Sequence, residues 1–510
     1  MVTSETLSPL SIFARTYARI RGAVESVLLG DSLKAKVYRG GAWLGSGSVA
    51  EQAARFGRNM ILTRLLAPEA FGALAIVLSV NSVIVSFTDI GVREGLVQNP
   101  KGGEQHYVDA AWWLGFGRAV LLAAVLFAVA PLVAGFYGNP ELTALLRLST
   151  AGIILGGASS PRADIARKEM KFRKVAAIGN IGGICGVVIT LILCLVIRDV
   201  WALVLGSCAE SAARTTLSYV LCPYVPSLRW NKEATRDLLR FSKGLFGLSF
   251  LNLIFARADI FVLAKLYSPA VLGLYTMAIY LVQTPTNFIM NVLGQTLMSA
   301  FSQIQSDARR TNRILIQVTS LVVMLGLPAL AFVFFCGRSL LTLTYSARYG
   351  AFTGAMVLAS LVALVNVMNG QITLVFYSRG LPNLHRTAVV AMAAAMVLAI
   401  YPLAKWLGPL GGQVACLVAV IVGYLFQVRR VRQLTGLGIA LYAKSFPIAV
   451  LASLSVVALS LSARSFAVLT GPVTNIALGI VGCLVAYILA CAIHLKGQVR
   501  LSQQPLPGEP

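Results

Sequence analysis

Long apolar stretches separated by short polar connections occupy most of the chain. Each stretch is close to the ~20 residues that an α-helix needs to cross the hydrocarbon of a bilayer. We therefore predict an all-α, polytopic membrane protein with about fourteen transmembrane helices. The predicted spans are residues 41–66, 71–92, 108–136, 142–162, 174–197, 200–224, 241–266, 271–295, 312–336, 351–377, 385–404, 409–428, 446–463 and 472–494.

Charged residues interrupt the first of these spans. Glu51, Arg55 and Arg58 are spaced at i, i+4 and i+7, which places them on one face of a helix. A charged side chain at the bilayer centre costs about 2.5 kcal/mol or more, so such residues normally face protein or a water-filled path. The pattern predicts that this helix forms one wall of a hydrated, charged cavity.

An internal repeat divides the chain. The sequence RLLAPEAFG at 64–72 recurs as KLYSPAVLG at 265–273. The two copies are separated by six predicted spans, so both halves would have the same orientation, as in transporters built from parallel repeats. We predict a pseudo-two-fold pair of six-helix bundles, residues 41–228 and 229–430, followed by an accessory helix pair at 431–496. The predicted cytoplasmic tails are a basic amphipathic segment at 1–40 and a disordered segment at 497–510.

Composition supports a membrane protein, and the distribution of Lys and Arg among the loops predicts its orientation. The chain is 57% hydrophobic and 12% charged, whereas soluble domains are about one quarter charged. Its net charge of +24 would suggest a nucleic-acid partner in a soluble protein. With the amino terminus inside, however, about 30 of the 43 Lys and Arg residues fall in cytoplasmic loops and tails. We therefore expect two cytoplasmic termini and no nucleic-acid partner.

We interpret nine charged residues as intramembrane, namely Arg55, Arg58, Arg118, Arg214, Arg257, Glu51, Asp89, Glu210 and Asp259. One interpretation is a cationic chamber for an anionic headgroup, since guanidinium groups match phosphate oxygens in pairs. The other is internal ion pairing, because Glu51–Arg55 and Glu210–Arg214 are spaced at i, i+4. Both remain open for those pairs. An interfacial position explains Asp89 best.

Three of the arginines, Arg58, Arg118 and Arg257, have no acid at i±4 on their own helix, which favours a functional role. The uncharged Asn287 and Asn291 fit either ligand contact or helix–helix hydrogen bonding. Catalytic chemistry is nearly absent: the sequence has three histidines and no DxD, HExxH, P-loop or GxSxG motif. We expect no enzyme activity, no cofactor and no metal site.

Two further regions carry a family resemblance. They read RNMILTRLLAPEAFGALA and SFTDIGVREGLVQN within residues 55–99, and PRADIARKEMKFRKVA at 161–176. They resemble the polysaccharide transporter (Wzx-type flippase) family of the multidrug/oligosaccharidyl-lipid/polysaccharide superfamily. The resemblance implies a bacterial inner-membrane flippase whose two bundles alternate access for a polyprenyl-pyrophosphate-linked oligosaccharide, used for exopolysaccharide, capsule or O-antigen (lipopolysaccharide) assembly. It implies membrane lipids, the polymerase and the export machinery as partners. The amino-terminal extension departs from the usual family plan.

In this reading Arg55, Arg58, Arg118 and Arg257 hold the pyrophosphate, with Arg214, Asn287 and Asn291 also in the cavity, and Glu51, Asp89, Glu210 and Asp259 are cavity acids. Of the acids, Glu51 or Asp259 would couple transport to an ion. Two alternatives in the same superfamily are a peptidoglycan-precursor (lipid II) flippase and a drug/cation antiporter. A membrane glycosyltransferase or ligase is disfavoured, because every predicted outer loop is short.

Overall fold

The computed structural model describes residues 33–87, 91–227, 231–242, 248–438, 472–477, 479–485 and 487. These residues form helices and contain no β-strand, which confirms the all-α prediction for this part of the chain. The helices are α1 (Leu33–Leu65), α2 (Pro68–Phe87), α3 (Val92–Gln98), α4 (Gln105–Tyr137), α5 (Glu141–Gly157), α6 (Arg162–Lys168), α7 (Phe172–Ile197), α8 (Val200–Leu221), α9 (Lys232–Ser242), α10 (Leu248–Leu266), α11 (Pro269–Gln303), α12 (Ala308–Thr344), α13 (Thr353–Ser378), α14 (Pro382–Leu407) and α15 (Leu410–Thr435). The predicted span 446–463 and both predicted tails, apart from 33–40, lie outside the described residues.

Each predicted span from 41–66 to 409–428 corresponds to one long helix, with ends shifted by up to eight residues. Local chemistry sets these ends. Ser268 accepts a hydrogen bond from the Val271 amide before α11, and Gly138 ends α4 in the left-handed conformation at φ +66°. Among the described residues, seven helices, or eight counting a bent pair, are long and apolar enough to cross a membrane unaided. Helices α1, α8, α10 and α11 are not among them. The first three of these carry charged residues that the sequence analysis predicts to be intramembrane.

The long helices pack in two groups. The first group consists of α1 to α8, in which α7 contacts α1 and α8, and α5 contacts α4 and α8. The second group consists of α10 to α15, in which α13 contacts α11, α12 and α15, and α14 contacts α10 and α15. Helix α9 connects the groups and packs on α3 and α4, where the Tyr107 hydroxyl donates to Asp237 at 2.8 Å. The main contacts between groups are those of α2 with α10 and α11.

One apolar core passes through both groups at the end where α1 leads into α2. It contains Leu62 from the first group and Leu272, Tyr275 and Tyr345 from the second, all at most 1% exposed. Away from this end the described residues form separate clusters, such as the one around Tyr107 in the first group. Within the described residues, a shared apolar core therefore joins the two groups at one end.

The repeat forms the centre of that joined end, which we name the glycine junction after Gly72 and Gly273. A Cβ atom on Gly72 would lie 1.9 Å from the Pro269 carbonyl oxygen, and one on Gly273 would lie 1.9 Å from that of Pro68. Each glycine of the repeat thus packs on the proline carbonyl of the other copy. Only glycine permits backbones to approach so closely.

Two basic residues extend the junction reciprocally. The Arg64 guanidinium donates to the Leu343 carbonyl at 2.7 Å, so the first copy of the repeat reaches α12. The Lys265 ammonium donates to the Phe136 carbonyl and lies 4.6 Å from the centroid of the Phe136 ring, so the second copy reaches α4. Arg64 and Lys265 begin the two copies of the repeat, and each contacts a helix of the other group.

The described part of the last predicted span packs on α12. The Cys336 thiol donates to the Asn475 carbonyl at 3.4 Å, and the Tyr487 hydroxyl donates to the Leu325 carbonyl at 3.0 Å. This segment therefore lies against the second group of helices.

Candidate functional site

Four charged residues form a compact network between α1 and α8, which we name the charge quartet: Glu51, Arg55, Glu210 and Arg214. Arg55 donates to Glu51 at 2.9 and 3.0 Å and to Glu210 at 2.5 Å. Arg214 lies 2.9 Å from Glu51 and 3.0 Å from Glu210. Two acids balance two arginines, so the quartet is neutral, and internal pairing is the arrangement that the structure shows for it.

Glycines on α7 make room for the quartet. A Cβ atom on Gly183 would lie 2.2 Å from Glu51 Oε1, and one on Gly186 would lie 2.5 Å from Glu210 Cβ. The segment GNIGGICG at 179–186 therefore presents a side-chain-free face to the charges. Sequence reasoning missed this face, although the glycine spacing in an apolar span was a signal for close helix packing.

Arg58 lies one helical turn beyond Arg55 and is not part of the quartet. Its guanidinium donates to the side-chain oxygen of Asn59 at two distances of 3.2 Å. No carboxylate lies within 4.0 Å of it in the described part of the chain. Among the described residues Arg58 is therefore a cation without an ion-pair partner.

Arg118 lies elsewhere, in a cavity of about 530 Å³ inside the first group, between α2, α3, α4, α5 and α8. It donates to the Val85 carbonyl at 2.5 Å. The cavity wall also includes Asn81 and Ser149, which are hydrogen-bonded at 3.0 Å. Neither Arg58 nor any residue of the quartet lines this cavity. The structure thus does not bring Arg118 into one cluster with the arginines of α1.

At the loop end of this cavity lies Asp164 of α6, with Arg93 at 3.9 Å. Burial raises the pKa of the Asp164 carboxyl, and the nearby charges of Arg93 and Arg167 oppose that effect. The cavity entrance therefore carries both signs of charge.

The second group holds Arg257 and the deeply buried Asp259, which is 7% exposed. The Tyr275 hydroxyl donates to Asp259 Oδ2 at 2.9 Å, and Gln413 Nε2 donates to the Tyr275 oxygen at 2.8 Å. Within the described residues Asp259 forms no ion pair at 4.0 Å or less, and the same holds for Arg257. A carboxyl group held only by neutral partners is suited to carry a proton. No pattern in the sequence indicated Tyr275 or Gln413 as site residues.

The remaining predicted site residues lie apart from these clusters. The side chains of Asn287 and Asn291 on α11 are exposed. Asp89 lies outside the described residues. The predicted residues are therefore distributed over the charge quartet, Arg58, the first-group cavity and the Asp259 cluster.

Comparisons with known proteins agree on one class of protein. The family described as "Polysaccharide biosynthesis protein" matches residues 61–353. Succinoglycan biosynthesis transport protein ExoT of Rhizobium meliloti (strain 1021) is 28% identical over 53% of this chain and 56% of that protein. Lipopolysaccharide biosynthesis protein WzxC of Escherichia coli (strain K12) is 22% identical over 77% of this chain and 79% of that protein. The chain thus aligns with little more than half the length of the first relative.

Solved structures share the fold. The lipid II flippase MurJ in an inward closed conformation matches with a TM-score of 0.74 at 12% identity, over 89% of this chain and 99% of that one. An inward-facing multidrug resistance MATE family transporter of the MOP superfamily matches with a TM-score of 0.61 at 14% identity, over 76% of this chain and 96% of that one. Similarity at this level of identity establishes a common fold.

Proposed function

Because the chain belongs to the polysaccharide biosynthesis protein family, we propose that it is a flippase for a polyprenyl-pyrophosphate-linked oligosaccharide. It would carry this lipid across the bacterial inner membrane for exopolysaccharide, capsule or O-antigen assembly. The names of the relatives ExoT and WzxC support this cargo class, and they favour a transporter over an enzyme.

The observation that carries the proposal is the position of Arg58. The charge quartet neutralises itself, whereas Arg58 has no carboxylate within 4.0 Å among the described residues. An unpaired guanidinium inside a membrane protein is costly unless an anion or water compensates it. A pyrophosphate offers several oxygens to the planar donor fork of arginine. We assign Arg58 as the primary pyrophosphate contact, with Arg257 as its candidate partner from the second group.

We further propose the complete arrangement: about fourteen transmembrane helices, two pseudo-symmetric bundles at 41–228 and 229–430, an accessory pair at 431–496, and two cytoplasmic termini. In this orientation the glycine junction closes the outer side. Alternating access would then open the junction as the inner ends approach. Asp259 is our candidate for the ion-coupling group, and Arg118 would contact cargo from within the first bundle.

Transport into proteoliposomes tests the role of Arg58. The probe is undecaprenyl pyrophosphate bearing a short fluorescent oligosaccharide, scored by its accessibility to an added glycosidase. We expect Arg58→Ala to reduce transport at least about tenfold, since charge-assisted hydrogen bonds contribute ~1.5–3 kcal/mol each. Arg58→Lys should give an intermediate transport rate, because an ammonium keeps the charge without the planar donor fork of arginine.

Arg310→Ala, at an exposed position near the start of α12, is the matched control. Full transport by an Arg58→Ala/Arg257→Ala double variant would refute the assignment.

A lipid II flippase is the second candidate, and the fold similarity to MurJ is the observation that favours it. Gene depletion separates the two. Loss of surface polysaccharide with intact cell walls supports the oligosaccharide cargo, whereas lysis with accumulation of the wall precursor supports lipid II.

A further inference from the structure

A second cavity, of about 330 Å³, lies inside the second group between α10, α11, α13, α14 and α15. Its volume is in the range of about 300–1,000 Å³ that is typical of small-molecule sites. Apolar side chains such as Phe255 and Met290 form much of the wall. The polar part of the wall consists of Asn252, Asn366, Asn369, Gln371, Thr373, His385 and Gln427. We name this space the amide cavity.

Among the residues that the structure describes, no Asp, Glu, Lys or Arg lines the amide cavity. Carboxamides both donate and accept hydrogen bonds, which suits ligands whose groups do the same. A sugar presents adjacent hydroxyls or an acetamido group of this kind on an otherwise neutral ring. The wall therefore suits a neutral polyol and offers an anion no counter-charge.

Two buried amides in the wall have one group paired and one unpaired among the described residues. Asn369 Nδ2 donates to the Val420 carbonyl at 3.2 Å, whereas Asn369 Oδ1 has no hydrogen-bond partner in this part of the chain. Gln371 Oε1 accepts from Thr319 at 3.1 Å, whereas Gln371 Nε2 has no such partner there. These residues are 5% and 2% exposed, so bulk water does not solvate the open groups. The unpaired acceptor and the unpaired donor both belong to residues of the cavity wall. A buried polar group of this kind gains free energy when it acquires a hydrogen-bond partner.

Other polar groups of the wall are fixed by mutual contacts. The Thr373 hydroxyl lies 3.1 Å from His385 Nδ1, and Gln427 Nε2 lies 3.4 Å from the same nitrogen. Side chains held in this way lose little conformational freedom on binding, which is a property of preorganised sites.

One residue of the amide cavity occupies a repeat position that is equivalent to a position of the charge quartet. With Gly72 aligned to Gly273, Asn252 takes the position that Glu51 has in the first half. Glu51 is paired within the charge quartet, whereas Asn252 lines the amide cavity. The same repeat position thus forms ion pairs in the first half of the chain and lines a neutral polar cavity in the second half.

We propose that the amide cavity binds a neutral hexose or N-acetylhexosamine unit of the cargo and determines sugar specificity. The proposal rests on the flippase function above and adds a division of labour. Arg58, with Arg257 as its candidate partner, holds the pyrophosphate, and the carboxamides of the amide cavity hold the sugar.

Binding to the full-length protein in nanodiscs tests the proposal. The probes are bare undecaprenyl pyrophosphate and the same lipid bearing one glucose, galactose or N-acetylglucosamine. The wild-type protein should bind at least one sugar-bearing lipid more tightly than the bare lipid. Asn369→Leu should reduce that preference about 3- to 10-fold, as expected for one lost hydrogen bond, with bare-lipid affinity unchanged. Asn252→Ala, at an exposed position, should act in the same direction if Asn369→Leu does not fold. Asn383→Ala, exposed and outside the cavity, is the control.

The variants and probes of this experiment test the sugar site separately from the flippase assignment. Arg58→Ala should weaken binding of all probes, including the bare lipid, and an unchanged bare-lipid affinity there would count against the pyrophosphate site alone. No sugar preference in the wild-type protein, or an undiminished preference in both asparagine variants, overturns the amide cavity as a sugar site. Thermal stabilisation by sodium chloride but not by potassium chloride or sugars, lost in Asn369→Leu, would also overturn it in favour of a cation site.

Discussion

Replacing Gly72 and Gly273 by alanine should open the joined end of the two helix groups. Each new Cβ would start 1.9 Å from a proline carbonyl oxygen, and ordinary contact begins near 3.4 Å, so the helices must separate by roughly 1.5 Å. Overpacking of this kind costs about 1–3 kcal/mol. If the closed junction alone bears this cost, the ratio of open to closed junctions rises about 5- to 150-fold.

Distances between spin labels report this shift. Labels at exposed Glu141 and Arg348 lie at the same end of the first and second groups, and the native cysteines are first replaced by alanine. We expect longer distances in Gly72→Ala and Gly273→Ala, with slower lipid flipping. Gly135→Ala is the control, because its Cβ would have no atom within 4 Å. Distances and flipping rates equal to those of the control would refute the idea that the junction limits closure.

Two further predictions concern polar contacts. Glu51→Gln should lower the free energy of unfolding by about 3 kcal/mol, since three arginine hydrogen bonds converge on that carboxylate. Thermal unfolding in detergent measures the loss, with exposed Glu141→Gln as the control, and equal melting temperatures would contradict it. Lys265→Met should weaken the junction without abolishing transport, because it removes the contacts to Phe136 but no cargo ligand. A complete loss of flipping with normal expression would assign Lys265 a larger role.

Hydropathy was sufficient for the helices, since apolar runs of bilayer length have few other stable forms. The same-helix pairs could also be predicted, because i, i+4 spacing places Glu51 beside Arg55 on any helix. The repeat aligns Gly72 with Gly273, but the reciprocal packing of these glycines was not predicted from the sequence. Local pattern and local geometry carried each of these predictions.

The rest depended on helix rotation and on contacts between distant segments. Glu210 follows Arg55 by 155 residues, so no local spacing shows that they pair. Arg118 and Arg58 look alike in sequence, since neither has an acid at i±4 on its own helix. Arg118 nevertheless lies inside the first group, because the rotation of α4 directs it towards α2. Patterns along one helix do not specify which neighbour a side chain meets.

The long-range pairing in the charge quartet has a consequence for biosynthesis. When α1 leaves the ribosome, Arg55 has only Glu51 as a partner, and Arg214 and Glu210 of α8 are not yet made. At about 5–20 residues per second, the 155 residues between Arg55 and Glu210 take roughly 8–30 s to translate. During that interval the insertion machinery, rather than lipid, must shelter α1. Membrane integration of the amino-terminal half is thus expected to be delayed and cooperative, ending when its sixth long helix arrives.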